Sequence, residues 1–283
     1  MNTVTKNKVA LVTGASSGIG EAVAQRLASI GITTYAAARR VERMEHLKGE
    51  GVRVLKLDLT DEQSIDDCFN TITAEAGGID ILVNNAGYGS YGSLEEVPIE
   101  EARRQFEVNL FGLARLTQLV IPRMRSKRSG WILNVSSIGG VGASPYGSWY
   151  HATKFAVEGL TSALRQELSP FGVNVVVVRP GAIDTEWRHI AGASLLERSG
   201  NGPYAKATKA MHAKFLGPDF DKLVANPSVM ADVVQQILKT SRPKSVYTAP
   251  RMAWNMVLVT FLLGTDRLRD AFTRRFIGLP KTM

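Results

Sequence analysis

The residues best suited to chemistry are Tyr150 and Lys154, which stand four positions apart. In a helix this spacing places the phenol and the ammonium on the same face. A phenol alone, with a pKa of about 10, exchanges protons poorly at neutral pH. An ammonium about 4 Å away would stabilise the phenolate by about 4 kcal/mol at an effective dielectric constant of about 20. We therefore expect Lys154 to lower the pKa of Tyr150 to about 7, where a phenol can serve as a general acid or base.

A serine hydroxyl precedes this pair. Ser137 follows the apolar segment 131–135, which predicts a buried strand, and the segment 150–169 predicts the next helix. The strand would bring Ser137 to the start of that helix, where its hydroxyl could hydrogen-bond a carbonyl or alcohol oxygen of a substrate.

A glycine-rich turn lies near the N-terminus. The apolar segment 8–12 predicts a strand and the pattern at 21–30 predicts a helix, with Gly14, Gly18 and Gly20 between them. Such a turn lets backbone N–H groups approach the pyrophosphate of a dinucleotide, which the helix dipole also favours. The alternative is an ordinary strand–helix turn without a ligand.

Together these motifs resemble the short-chain dehydrogenase/reductase family. The resemblance rests on Ser137, the Tyr150/Lys154 pair, the turn at 13–20 and the Asn-Asn-Ala-Gly segment at 84–87. It implies a nicotinamide dinucleotide cofactor, with Ser137, Tyr150 and Lys154 as catalytic residues. Besides Tyr150 and Lys154, the cofactor-binding residues that it implies are Gly14, Ser16, Ser17, Gly18, Ile19, Gly20, Asp58, Leu59, Asn85, Ala86, Gly87, Pro180, Gly181, Ile183 and Thr185.

The form of the cofactor is indicated by Arg39 and Arg40, which follow the predicted strand 33–38. In NAD-preferring folds an acidic residue near this point binds the ribose hydroxyls, but Ala38 occupies the position here. A guanidinium suits the 2′-phosphate of NADP in geometry and charge. We therefore expect NADP(H) as the cofactor; the alternative is that both arginines simply begin a solvated helix.

A fourth catalytic candidate, Asn109, lies within the predicted helix 100–127. Asparagine has a poor helix propensity, so its presence there favours a functional interpretation. The resemblance implies that it holds a water linked to Lys154 in a proton relay. The alternative is a core amide satisfied by protein groups.

The segment 186–227 corresponds by order to the variable substrate lid of the family. We expect the glycines that follow Ser137 to leave room for a bulky, predominantly apolar substrate. The predicted substrate-lining residues are Ser137, Ile138, Gly139, Val141, Tyr150 and Trp187.

The C-terminal tail, 251–283, contains an apolar run of about 13 residues and then a basic amphipathic end. Because a bilayer span needs about 20 apolar residues, this run does not span a membrane. Three interpretations stay open: a roof over the pocket or core, an oligomer contact, or a helix in the membrane interface. In the third interpretation the headgroup contacts would be Arg267, Arg269, Arg274 and Arg275.

Composition narrows the class of protein. The chain has 283 residues, 45% of them hydrophobic, a net charge of +8 and one cysteine, Cys68. The basic residues are dispersed, so we expect no nucleic-acid partner, and a lone cysteine predicts neither an internal disulfide nor a metal cluster. The N-terminus lacks the apolar region of a signal peptide, so we expect a cytoplasmic protein.

These observations predict one α/β domain over residues 1–283. It would be a doubly wound, Rossmann-like parallel sheet of about seven strands with helices on both faces. The predicted function is an NADP(H)-dependent oxidoreductase that interconverts a ketone or aldehyde and an alcohol, as a homo-oligomer by family resemblance. The alternatives are a non-catalytic dinucleotide-binding regulator and a lipid-binding protein of the membrane surface.

Overall fold

The computed structural model describes residues 7–279, and a single seven-stranded sheet lies at its centre. The strands are β1 (Val9–Thr13), β2 (Thr33–Ala38), β3 (Arg53–Lys56), β4 (Ile81–Asn84), β5 (Gly130–Val135), β6 (Val173–Pro180) and β7 (Val246–Ala249). Their order is β3-β2-β1-β4-β5-β6-β7, and every neighbouring pair is parallel. The predicted doubly wound fold is therefore confirmed.

Helices cover both faces of the sheet. They are α1 (Gly18–Ser29), α2 (Glu62–Ala76), α3 (Ile99–Phe106), α4 (Gly112–Lys127), α5 (Ser148–Leu168), α6 (Trp187–Ser199), α7 (Ala205–Phe215), α8 (Pro218–Asp221), α9 (Ser228–Lys239), α10 (Arg251–Leu262) and α11 (Asp266–Phe276). Shorter 3₁₀-helical segments lie at Val41–Glu50, Ile138–Gly140 and Ser169–Phe171.

The central strands β1, β4, β5 and β6 are largely apolar because both of their faces are covered, whereas β3, at the edge of the sheet, is partly exposed. On β1, Val12 packs into the cluster that contains α1 and α9, whereas its neighbour Leu11 packs into the cluster that contains α2 and α4. Both side chains are fully buried. Burying a side chain of this size contributes about 1.5–3 kcal/mol, so each strand residue helps to fix helices to the sheet.

The order of the strands creates the place for a site. The sheet grows outward from β1 towards β3 on one side and from β4 towards β7 on the other. A crevice opens beyond the carboxyl ends of the strands where the winding direction reverses. The glycine-rich turn follows β1, Asn85 follows β4, and Ser137 follows β5, so all three meet at this crevice.

One predicted helix differs from the structure. The segment predicted as one helix, 100–127, is α3 and α4 separated by a π-helical turn at Glu107–Phe111. Such wider turns frequently occur at functional sites, and this one contains Asn109. In the part of the chain between residues 7 and 279, no helix is both long and apolar enough to cross a bilayer.

Candidate active site

A cavity of about 790 Å³ lies at the carboxyl ends of the strands. Three predicted residues, Gly18, Gly20 and Asn109, do not line it. The predicted residues that do line it are Gly14, Ser16, Ser17, Ile19, Arg39, Arg40, Asp58, Leu59, Asn85, Ala86, Gly87, Ser137, Ile138, Gly139, Val141, Tyr150, Lys154, Pro180, Gly181, Ile183, Thr185 and Trp187. The fold therefore brings nearly all of the predicted catalytic, cofactor and substrate residues to one place.

The predicted catalytic pair stands on the first turns of α5. Tyr150 and Lys154 are both buried, and both line the cavity. The ammonium of Lys154 donates a hydrogen bond of 2.9 Å to the carbonyl oxygen of Val135, the last residue of β5. This bond fixes the side chain of Lys154 at the carboxyl end of β5, two residues before Ser137.

The expected fall in the pKa of Tyr150 is wrong for this structure. Burial raises the pKa of the phenol to about 12, although a hydrogen bond with Ser137 acts in the opposite direction. Burial also lowers the pKa of Lys154 to about 8, and the nearby carboxylate of Glu158 counters part of that effect. Removal from water penalises the phenolate of Tyr150 and the ammonium of Lys154. The expectation from the residue spacing did not include this penalty. The phenol is therefore protonated at neutral pH.

Ser137 links the catalytic pair to the loop that follows β5. Its hydroxyl oxygen accepts a hydrogen bond of 3.0 Å from the backbone N–H of Gly139, and the hydroxyl is also hydrogen-bonded to the phenol of Tyr150. The hydroxyl of Ser137 therefore lies beside the phenol oxygen of Tyr150. A substrate oxygen bound at this point could form hydrogen bonds with both groups.

The glycines after Ser137 have close neighbours. A Cβ atom on Gly139 would lie 3.0 Å from Nδ1 of His151, and one on Gly140 would lie 2.5 Å from the hydroxyl of Ser136. These glycines let the loop pack closely against α5. Gly139 also lines the cavity, together with Ile138 and Val141, and the expectation that the glycines leave room for a bulky substrate stays a prediction.

His151 is a site residue that the sequence analysis missed. It is buried next to Tyr150, and its Nδ1 bonds the carbonyl oxygen of Gly139 at 2.9 Å. Its Nε2 accepts the backbone N–H of Ser144 at 3.0 Å. Burial lowers the pKa of the imidazole, so the ring is neutral at pH 7 and ties both ends of the 139–144 loop to α5. A histidine directly after the tyrosine was the available signal.

Asn109 is buried, and protein groups satisfy its amide. Nδ2 donates to the carbonyl oxygen of Tyr88 and to the hydroxyl of Thr153, and Oδ1 accepts the N–H of Tyr88, all at 3.0 Å. Asn109 also lies close to the catalytic lysine, because a Cβ atom on Gly87 would be 3.1 Å from Oδ1 of Asn109 and 3.6 Å from Nζ of Lys154. The side chain thus anchors the loop after β4 beside the lysine.

The turn after β1 has the shape of a dinucleotide cradle. Gly14 has a φ of +67°, and a Cβ atom on it would lie 2.7 Å from the Cα atom of Ala86. The hydroxyl of Thr13 accepts the N–H groups of Asn85 and Ala86 at 3.0 Å, which joins the turns after β1 and β4. No side chain caps the first turn of α1, so its N–H groups face the cavity edge without a side-chain partner. A pyrophosphate fits such a site.

Two further cofactor candidates, Asp58 and Thr185, also line the cavity. Burial would raise the pKa of the Asp58 carboxyl, but hydrogen bonds from the N–H and hydroxyl of Thr60 outweigh it and hold that pKa below its usual value. The carboxylate is therefore ionised at neutral pH and can accept a hydrogen bond from an adenine amino group. Thr185 packs against Gly18, where a Cβ atom would lie 2.7 Å from the threonine methyl group.

Arg39 and Arg40 are exposed at the cavity edge. Arg40 lies within 3.5 Å of the hydroxyl of Ser16 and pairs with the carboxylate of Glu186 at 3.3 Å. Arg43 pairs with the same carboxylate at 2.6 Å. The carboxylate of Glu186 thus pairs with the guanidinium groups of Arg40 and Arg43 at the position where a 2′-phosphate is expected to bind.

Aromatic rings form the wall around Tyr150. The ring of Trp187 lies 5.1 Å from that of Tyr150, between centroids, and the ring of Tyr91 lies 5.8 Å away. Tyr91 is buried, and the sequence analysis did not place it in the site. It belongs to the loop after β4, and only the packing of α6 over that loop reveals its position.

The C-terminal helices close the far side of the cavity. Met252, Met256 and Val257 of α10 line it, as do Phe272 and Phe276 of α11. The tail therefore forms a roof over the pocket, which was the first of its three predicted interpretations. No group of three or more metal-ligating side chains occurs among the described residues.

A family model described as short chain dehydrogenase matches residues 8–194. The chain is 37% identical over 282 residues to the NADPH-dependent 3-dehydrocapnine reductase of Ornithobacterium rhinotracheale, covering 93% of this chain and 95% of the relative. It is 42% identical over 178 residues to the 3-ketodihydrosphingosine reductase of Bacteroides thetaiotaomicron, covering 63% and 65%.

Solved structures of short-chain dehydrogenases are also similar to this chain. A short-chain dehydrogenase from Streptomyces avermitilis superposes with a TM-score of 0.78 at 33% identity, over 94% of this chain and 95% of that one. A short-chain dehydrogenase from Sphingobium yanoikuyae in complex with NADPH superposes with a TM-score of 0.71 at 28% identity, over 90% and 93%.

Proposed function

This chain belongs to the short-chain dehydrogenase/reductase family, and we propose that it is an NADPH-dependent reductase of a 3-oxo group on a long, predominantly apolar substrate. The names of two relatives support this proposal, since one reduces a 3-dehydro compound and the other a 3-keto compound. The first of them is NADPH-dependent and matches nearly the whole chain.

The single observation that carries the proposal is the position of Tyr150. Tyr150 lines the same cavity as the apolar side chains Met252, Met256 and Val257 of α10 and Phe272 and Phe276 of α11. A long apolar substrate could therefore present its oxo group to the phenol while its chain lies under the two helices. Each buried methylene would contribute about 0.8 kcal/mol to binding.

The residues present fit the cofactor. Gly14, Ser16, Ser17 and the uncapped start of α1 would hold the pyrophosphate, and Asp58 would hold the adenine. Arg39 and Arg40 would bind the 2′-phosphate. Beyond the strand ends, Asn85, Ala86, Gly87 and the 180–185 segment would surround the nicotinamide half. When bound, NADPH supplies the hydride that reaches the carbonyl carbon.

The protein residues manage the proton and the substrate oxygen. Ser137 orients the carbonyl oxygen, and Tyr150 donates its proton to that oxygen as the hydride reaches the carbon. The raised pKa of Tyr150 suits the reductive direction, because the phenol carries its proton at neutral pH. Lys154 is positively charged below about pH 8 and stabilises the phenolate that remains.

The test is NADPH consumption, followed by absorbance, with 3-ketodihydrosphingosine and with alkyl ketones of increasing length. We expect turnover that depends on Tyr150 and improves with chain length. If the protein binds NADPH but consumes none with any ketone, the reductase proposal is overturned, and the non-catalytic dinucleotide-binding alternative is favoured.

A further inference from the structure

The helix α10 has apolar side chains on the side that faces away from the cavity. Trp254 is 53% exposed, Phe261 is 61% exposed and Leu262 is 74% exposed, and Leu258 is exposed on the same face. The positions 254, 258, 261 and 262 follow helical spacing, so these four side chains form one continuous stripe. A helix at the surface of a protein ordinarily carries polar or charged groups on that stripe.

The opposite face of α10 is apolar as well. Ala253 and Val257 are buried, and Met256 lines the cavity. Arg251, at the first position, is the only charged residue of the helix. Apart from Arg251, Asn255 and Thr260 the helix is apolar, and a helix of this composition is ordinarily covered over most of its surface. The described residues cover only the side that faces the cavity.

The next helix, α11, extends the exposed apolar surface and adds positive charge. Leu268 and Phe272, one turn apart, are both exposed. On the same outward side α11 carries Arg267 and Arg275, which are exposed beside them. Basic side chains around exposed apolar ones are the pattern of a surface that binds anionic lipid headgroups.

The cavity opens to solvent beside these helices. Met252 and Phe272 line it and are 47% and 39% exposed. An apolar molecule could therefore enter the cavity next to α10 and α11.

We propose that α10 and α11 dock on the surface of an anionic lipid bilayer, with the stripe Trp254, Leu258, Phe261 and Leu262 in the headgroup region. Neither helix can cross a bilayer, so the association is interfacial. A second copy of the chain is a poorer occupant, because a two-fold contact brings the same surface of both copies together, and α10 and α11 carry more arginines than aspartates. Anionic headgroups complement these charges. If the proposed function also holds, the substrate enters the cavity directly from the bilayer.

The first experiment is co-sedimentation of the full chain with vesicles of phosphatidylcholine alone or with phosphatidylglycerol. We expect binding to the anionic vesicles and at least tenfold weaker binding to the neutral ones. Two exposed arginines near the surface contribute about 1 kcal/mol each, so Arg267→Gln with Arg275→Gln should weaken anionic binding by about 30-fold.

Matched variants test the apolar stripe. Phe261→Ser with Leu262→Ser should abolish vesicle binding, because both side chains leave water in the docked state. The control is Leu94→Ser with Ile99→Ser, which removes side chains that are 58% and 46% exposed outside α10 and α11 and should bind as the wild type does. Equal loss of binding in both variants, or no binding by the wild type, contradicts the proposal.

Trp254 reports the docked face directly. On adding anionic vesicles we expect a blue shift of tryptophan fluorescence and quenching by brominated lipid, both absent in Trp254→Phe. A wild type whose Trp254 is not quenched, or a stripe variant that changes the oligomeric mass instead of vesicle binding, would favour a second copy and overturn the proposal.

Reductase activity separates this proposal from the proposed function. The stripe residues do not line the cavity, so Phe261→Ser with Leu262→Ser should keep wild-type turnover of a short, water-soluble ketone while losing vesicle binding. Vesicle binding without any turnover would contradict only the proposed function.

Discussion

Glu186 and Arg40 face each other 3.3 Å apart at the edge of the cavity, where a 2′-phosphate is expected to bind. Hydrogen bonds from Arg43 and Arg40 hold the pKa of the Glu186 carboxyl below its usual value, so it is ionised at neutral pH. Glu186 directly precedes α6, the first helix of the 186–227 segment. The ion pairs therefore connect the turn after β2 to that segment across the cofactor side of the cavity. A bound 2′-phosphate would compete with this carboxylate for Arg40.

Replacing Glu186 by glutamine should therefore strengthen NADPH binding without changing NADH binding. The pairs are exposed, and exposed ion pairs contribute at most about 1 kcal/mol, so we expect a twofold to fivefold decrease in the Kd for NADPH. Calorimetric titration of both cofactors measures it. Glu75→Gln removes a similar exposed pair with Arg53, outside the cavity, and should change neither Kd. An unchanged Kd for NADPH in Glu186→Gln would show that the carboxylate does not compete with the phosphate.

Tyr150→Phe should reduce turnover by about 100-fold to 10,000-fold, the usual contribution of a general acid. The ring packing against Trp187 survives the change, so the Kd for NADPH should stay within about twofold. Tyr247→Phe, at the sheet edge, is the control and should turn over normally. Retention of more than about a tenth of the wild-type rate in Tyr150→Phe would exclude the phenol as the proton donor.

The rate of ketone reduction should fall as the pH rises through about 8. Burial lowers the pKa of Lys154 to about 8, so the ammonium loses its proton there and no longer stabilises the phenolate. Glu158 raises the pKa of Lys154, so Glu158→Gln should move this fall to lower pH. Glu158 also forms a two-bond pair with Arg179, at 2.9 and 3.0 Å, so circular dichroism must show that the variant folds.

The control for this pH profile is Glu167→Gln, an exposed position on the same helix. It should leave the midpoint unchanged. A wild-type rate that is constant from pH 7 to about pH 9.5 would show that the charge of Lys154 is not required for reduction.

His151→Ala should lower kcat for reduction by about tenfold and leave the Kd for NADPH unchanged. The imidazole is hydrogen-bonded to Gly139 and Ser144 and so holds the loop that starts at Ser137. Its loss should therefore misplace Ser137 rather than the cofactor. His151→Asn retains one donor and one acceptor and should recover part of the rate. His46→Ala, at an exposed histidine, is the control. Equal effects on kcat and on cofactor binding would indicate general destabilisation instead.

Local sequence patterns predicted most of the fold. The segment 33–38 is β2 at the predicted bounds, and the helix predicted over 150–169 is α5 (Ser148–Leu168), because apolar runs and helical periodicity are local properties. The π-helical turn at Asn109 was not predictable in the same way. It depends on hydrogen bonds to Tyr88 and Thr153, which are distant in sequence.

The pKa of Tyr150 could not be predicted from local sequence patterns either. The spacing of Tyr150 and Lys154 predicted their common face, but not the sign of the change in the phenol pKa. That sign depends on how completely Tyr91, Trp187 and the helices above exclude water from the phenol. The position of the tail over the cavity was likewise one of three interpretations, since an apolar run does not specify which surface it covers.

The final prediction concerns the contribution of α10 to substrate selection. Wild-type kcat/KM for a homologous series of 3-oxo alkanes should rise by about fourfold per methylene until the cavity is filled, since each buried methylene contributes about 0.8 kcal/mol. Met256 lines the cavity, so Met256→Trp should fill part of it and end this rise several methylenes earlier, while short ketones react as before. Leu258→Trp lies on the outward face of the same helix and should reproduce the wild-type series. A series that is flat in the wild type, or that ends at the same length in Met256→Trp, would show that α10 covers the cavity without contacting the substrate chain.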